Sequence, residues 1–274
     1  MRLLFLGDIV GRAGRTAVVE HVPDLRRKLA LDFVVVNGEN AAGGFGINDE
    51  ICGALFAAGV DCITTGNHAF DQRDKIDVYD NERRLLRPLN YPQGVPGRGT
   101  GLYETQTGKR VLVINAMGRV FMEALDDPFA AVDRELEACK LAWGCDAAIV
   151  DIHAEATSEK MAMGHFCDGR ASLVIGTHSH VPTADAQILH GGTAYQTDAG
   201  ACADYDSVIG MEKTEPLQRF TRKLSTGRMT PAQGPATACG VFIETDDNTG
   251  LSRRIDPVRL GGRLKPALPG DLPT

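Results

Sequence analysis

The chain has 274 residues, 43% of them hydrophobic, enough to bury a sizeable core as one domain spanning 1–274. Its formal net charge of -7 disfavours a nucleic-acid surface, so a site for anions has to draw positive charge from something other than lysine and arginine, bound metal being one source. Seven cysteines without a Cys-x-x-Cys pair exclude a disulfide frame and a thiolate zinc site. They predict reduced thiols in a cytoplasmic protein. The apolar start, Leu3 to Leu6, is too short for a signal peptide, and no later segment approaches a membrane span.

A first strand is predicted over Leu3 to Leu6, closed by Gly7-Asp8. The adjoining "GDIVGRAGR" is neither a Walker loop, since no lysine comes after its glycines, nor a dinucleotide fingerprint, since Asp8 stands where backbone would approach a pyrophosphate. A helix is expected over Thr16 to Leu29. Next come a strand from Phe33 to Val36, a helix from Asn48 to Ala58 with Asn48 as its cap, and a strand from Cys62 to Thr65. Strands over Val111 to Ile114, Ala148 to Ile152 and Leu173 to Ile175 are separated by helices over Pro128 to Trp143 and Thr157 to Phe166. This alternation specifies an α/β sheet with crossover helices. After His180 two hairpins are read, "AQILHGGTAYQT" turning at Gly191-Gly192 and "CGVFIETDDNTGLSRRIDPVRL" turning near Asn248 to Gly250. Between them, residues 211–235 carry little periodicity and are expected to form a surface excursion, a candidate for contact between copies of the chain. The Pro-rich tail, "LKPALPGDLPT", is expected to fray.

The residues at the carboxyl end of each strand carry the chemistry: Gly7-Asp8, Gly38-Glu39-Asn40, Gly66-Asn67-His68, Asp151-Ile152-His153, and Gly176-Thr177-His178-Ser179-His180. That edge of an open α/β sheet is where sites assemble, and four of the seven histidines fall there. Carboxylate, amide and imidazole without thiolate suit manganese, iron, zinc or magnesium. His178 and His180, two apart on an extended strand end, are expected to project to one side. Five or more ligands exceed what one tetrahedral ion needs, which argues for two ions able to share a water, lower its pKa and direct hydroxide at phosphorus. His68, beside Asn67 but not needed as a ligand, is the candidate general acid or phosphoryl stabiliser. Asp151 is a candidate to orient an imidazole, Phe45 to stack on a nucleobase, and Arg12, Arg119 and Lys160 to steer a phosphate.

An acid, a second acid, Gly-Asn-His, His and Gly-x-His-x-His in this order resembles the calcineurin-like metallophosphoesterases. The "NGENAAGGFGI", "TTGNHAFD", "DIHAEATSEK", "GTHSHVPTAD" and "DSVIGMEK" segments resemble their YmdB-like branch of bacterial phosphodiesterases. Two departures from the wider superfamily stand out: Val10 occupies the position of a usual histidine, and Gly38-Glu39-Asn40 replaces a usual Gly-Asp. The resemblance implies a four-layer α/β/β/α sandwich of two mixed sheets, the second built from the later hairpins. It implies one metal on Asp8, Glu39, Asn40 and His180 and another on Glu39, Asn67, His153 and His178. The asparagine-for-histidine exchange favours iron or manganese, or exchangeable magnesium, before zinc. It further implies hydrolysis of 2′,3′-cyclic and also 3′,5′-cyclic nucleotides, with a small-molecule phosphodiester as partner and no stable nucleic-acid complex. The residues alone leave open a phosphomonoesterase or protein phosphatase, and a non-catalytic nucleotide- or RNA-binding regulator.

Overall fold

The computed structural model describes residues 1–225 and 227–270; Thr226, inside the excursion, and residues 271–274 of the tail lie outside the described residues. Strand β1 (Arg2–Leu6) and the short β2 (Asp8–Ile9) lead into helix α1 (Gly11–Leu29), followed by β3 (Phe33–Asn37), α2 (Asp49–Ala57), β4 (Cys62–Thr64) and α3 (Val78–Asn81). The middle of the chain runs through β5 (Thr100–Glu104), β6 (Arg110–Met117), α4 (Pro128–Ala138), β7 (Ala147–His153), α5 (Thr157–Phe166) and β8 (Leu173–Thr177). The last part holds β9 (Gln187–Ile188), β10 (Ala194–Gln196), β11 (Ala201–Asp204), α6 (Thr214–Arg222), β12 (Ala236–Thr245) and β13 (Ser252–Leu260).

Two mixed sheets result. One runs β2-β11-β12-β1-β3-β4, with β13 also paired to β12; the other runs β5-β6-β7-β8-β10-β9. Period-two alternation sorts each strand's side chains between layers. Leu3 and Phe5 of β1, Phe33 and Val35 of β3, Val111 and Val113 of β6 and Ile149 of β7 meet in one core between the sheets. Their neighbours Leu4, Leu6, Val34 and Val36 point outward to Val18, Val22 and Leu25 of α1 and Leu55 of α2. Leu112, Ile114, Val150 and Ile152 do the same toward Val132 and Leu136 of α4 and Met163 of α5. The result is the helix/sheet/sheet/helix order, with strands apolar on both faces.

The partition of strands differs from the expectation. The second sheet is founded on β5 to β8 rather than on the later hairpins; β9–β10 extends it, whereas β12–β13 belongs to the first sheet, where β12 lies antiparallel to β1. Three strands, β2, β5 and β11, have no counterpart among the strands expected from the sequence. Helix α1 begins at Gly11, not Thr16: its Val10 cap supplies no side-chain hydrogen bond, and Gly14 sits where a Cβ would lie 2.0 Å from the Cys202 carbonyl oxygen of β11. Close packing on the sheet, not propensity, starts this helix. Helix α4 stops at Ala138, because residues 140–145 fold back in a turn in which Gly144 N–H donates to the Lys140 carbonyl and Leu141 bridges Cys145. The 211–235 segment contains α6, and the described part of the tail is tied by two backbone bonds between Ala267 and Arg259 of β13.

Candidate metal centre

The strand ends that carry candidate ligands converge at one edge of the sandwich, from both sheets. Asp8 starts β2, Glu39 and Asn40 follow β3, Asn67 and His68 follow β4, His153 ends β7, and His178 and His180 follow β8. Two groups of donor atoms form there, Asp8, Glu39 and His180 in one and Glu39, His153 and His178 in the other, each with its atoms within 4.8 Å of one another. Asn40 Oδ1 lies 3.1 Å from His180 Nε2, and Asn67 Oδ1 lies 3.0 Å from His153 Nε2, so one amide joins each group. The structure therefore brings together every residue expected in the two metal sets, in the expected division, with Glu39 shared.

The donor set fits a pair of cations. His153 Nδ1 is engaged with Thr177 Oγ1 at 2.8 Å, and that hydroxyl donates to Asp151 Oδ1 at 2.7 Å, so the ring proton sits on Nδ1 and Nε2 presents a lone pair. Around Nε2 stand three further lone-pair atoms, Asn67 Oδ1 at 3.0 Å, Glu39 Oε2 at 3.1 Å and His178 Nδ1 at 3.1 Å. One proton cannot satisfy four acceptors. Such spacings match the edge of an octahedron with metal–ligand bonds of about 2.1 Å, for which the edge is about 3.0 Å. The buried Asp8 Oδ1 has no hydrogen-bond partner, a costly state that a cation would relieve. Gly66 keeps the space clear, since a Cβ there would lie 2.2 Å from both Glu39 Oε2 and His153 Nε2.

Without ions the charges redistribute. Burial pushes the Asp8 carboxyl up to about 6, with His180 and His153 pulling the other way. Burial alone would lower His153, but the Glu39 carboxylate beside it raises the ring to about 9. Glu39, which burial alone would raise, is held at about 2 chiefly by His153. His178 is lowered to about 3 by burial and then by His153.

The surrounding residues orient the donors. His180 Nδ1 meets the Ile209 carbonyl at 2.7 Å, and Asn40 Nδ2 donates to the Gly44 carbonyl at 3.0 Å, which turns His180 Nε2 and Asn40 Oδ1 toward the centre. His178 and His180 do not continue an extended strand. Their φ values are 95° and 64°, and the left-handed turn delivers one ring to each donor group. The His178 Nε2 atom pairs with Glu155 Oε2 at 3.2 Å.

His68 lies just outside the donor groups, its N–H donating to Glu39 Oε2 and its Nδ1 2.8 Å from Asp71 Oδ2. Together with Asn67 and His178 it lines an open cleft of about 550 Å³. Phe45 does not offer an open face to a base. It is partly buried, its ring meets His68 edge-on, and Arg228 stands over it. Lys160 is wholly buried rather than steering a phosphate, bonding Ser179 Oγ at 2.9 Å and Asp198 Oδ2 at 2.8 Å beneath the His178–His180 turn. Arg119 pairs with Asp127, and Arg12 lines a groove with Thr16 and Glu20 that no donor residue shares. Asp151 orients His153 only through Thr177. Asp71, Thr177, Glu155 and Asp198 are functional positions that sequence reasoning misses; the aspartate three residues after His68 is the one local signal.

The YmdB-like protein family matches residues 4–258. The chain belongs to the YmdB-like family. A member from Bacillus subtilis (strain 168), a 2′,3′-cyclic-nucleotide 2′-phosphodiesterase, is 45% identical over 94% of this chain and 96% of its own length. A YmdB-like fold is also seen in the crystal structure of a hypothetical protein from Thermus thermophilus, which superposes with a TM-score of 0.88 at 43% identity, covering 96% of this chain and 100% of that one. A Mycoplasma pneumoniae structure described as a novel phosphatase gives the same TM-score of 0.88 at 33% identity, covering 95% and 93%.

Proposed function

We propose that this chain is a metal-dependent phosphodiesterase acting on small phosphodiesters, 2′,3′-cyclic nucleotides first, with His68 as its acid. The convergence of lone pairs around His153 Nε2, beside an open cleft, carries the reading. The Bacillus subtilis relative's activity supports the substrate class. Two ions, one held by Asp8, Glu39, Asn40 and His180 and the other by Glu39, Asn67, His153 and His178, supply Lewis acidity and a lowered water pKa. A donor set of oxygen and imidazole without thiolate favours iron or manganese over magnesium or zinc. The protein's own groups do the rest. Asp71 occupies Nδ1 of His68, which leaves Nε2 to bring a proton to the leaving alkoxide or a hydrogen bond to a phosphoryl oxygen. The seven free cysteines, six of them buried, fit a cytoplasmic setting, and among the described residues no helix is long and apolar enough to cross a membrane.

The test is hydrolysis of adenosine 2′,3′-cyclic phosphate by chelator-stripped protein before and after manganese or iron is restored, with His68→Ala alongside. Turnover is expected only with metal, and the variant should lose about 10²–10⁴ in kcat while keeping its metal. Stoichiometric metal uptake without turnover would overturn the diesterase reading. Accumulation of the nucleoside monophosphate, rather than of nucleoside, separates it from a phosphomonoesterase.

A further inference from the structure

The segment between β6 and α4 contributes nothing to the donor groups, yet Phe121, Met122 and Glu123 line the same cleft as Asn67, His68 and His178. Its stem is clamped. Buried Asn90 donates through Nδ2 to the Met117 carbonyl at 2.8 Å and to the Asp126 carbonyl at 2.9 Å, and accepts the Met117 N–H at Oδ1. Further along, the buried Glu159 carboxylate accepts the N–H groups of Arg119 at 2.9 Å and Val120 at 3.1 Å.

Held in this way, Phe121 is 89% exposed, and its φ of 62° lies in a region that a bulky residue enters only when its surroundings impose it. Exposure and backbone strain are two separate penalties, and they coincide at the mouth of the reaction cleft. A flat apolar ring fixed there is a surface on which a nucleobase stacks. Phe45, the other aromatic beside His68, is taken up by His68 and Arg228 and cannot serve.

We propose that Phe121 is the base platform of this cleft and selects nucleoside phosphodiesters over phosphodiesters that lack a base. The assignment rests on the phosphodiesterase reading and concerns substrate affinity, not bond cleavage.

Adenosine 2′,3′-cyclic phosphate and ribose 2,3-cyclic phosphate, which differ by the base, are compared on the manganese-loaded protein and on Phe121→Ala, Phe121→Asn and Phe121→Trp. Asparagine tolerates the left-handed backbone, so that variant removes the ring without releasing the loop. The Ala and Asn variants should raise KM for the nucleotide by about 5- to 30-fold and leave both kcat and the ribose ester unchanged, while Trp retains the wild-type KM. Equal losses on both esters, or no loss on either, would overturn the platform. If the wild type turns over neither ester, the phosphodiesterase reading has failed instead. Calorimetric binding of adenosine 3′-monophosphate against ribose phosphate then decides the platform: weaker nucleotide binding in the Ala and Asn variants supports it, and unchanged binding overturns it.

Discussion

His153 has two ring nitrogens, and the hydroxyl of Thr177 determines which of them faces the donor groups. Thr177→Val removes the link from Asp151 to the imidazole and frees the tautomer. It should weaken metal affinity about 10- to 100-fold, measured by equilibrium dialysis; an unchanged affinity would refute the relay. Gly66→Ala is expected to abolish uptake at the His153 group while leaving circular dichroism native, because its Cβ would occupy the space between Glu39 and His153. The metal-free protein should also carry a distinct pH dependence. His153, raised from 6.5 to about 9, contributes stability that is full below pH 6.5 and lost as the pH rises through 9. Glu39, held at about 2 against 4.5, contributes stability present above 4.5 and lost as the pH falls toward 2. Asp8, raised from 3.8 to about 6, takes stability away as the pH climbs through that lower interval. Tm in chelator should therefore fall between pH 6.5 and 9, and metal should remove the fall by taking the place of the His153 proton. A flat profile in chelator would contradict this.

Among the elements, α5 shows how far a local reading reaches. Thr157 to Phe166 is legible as a helix, but Lys160 cannot be distinguished from a surface lysine, because what buries it is Asp198, on a loop 38 residues later. Lys160→Met leaves the Asp198 carboxylate buried without its cation. Urea denaturation should show a loss of about 3 kcal/mol, with weaker metal binding as the His178–His180 turn loosens. The ligands are legible for a simple reason: each lies directly after an apolar run, so strand and donor are adjacent in the chain. Asp71, Thr177 and Glu155 act across a turn or between loops and leave no such mark. Helix α1 is only half legible because its first turn has no capping side chain and carries two glycines, features that only its contact with β11 explains.

At the scale of the whole molecule, the donor groups draw Asp8, Glu39, Asn40 and Asn67 from the first sheet and His153, His178 and His180 from the second. Bound ions therefore join the two layers at one edge. Metal at 100 times its Kd should add about 2.7 kcal/mol to the unfolding free energy, read as a Tm rise that chelator reverses. The split between sheets is the part of the fold least legible in the sequence. Leu3 to Leu6 and Val111 to Ile114 are equally apolar on both faces, so nothing in either run says which sheet it joins. The pairing of β1 with β12, Arg2 opposite Glu244, has a consequence for biosynthesis. The first strand to leave the ribosome must wait for nearly the last, whereas β5 to β10 all emerge in between and can assemble first. A nascent chain thus presents a finished second sheet whose inner face, Val111, Val113 and Ile149, is still wet, and that face is where a chaperone would hold it until residue 245 is made.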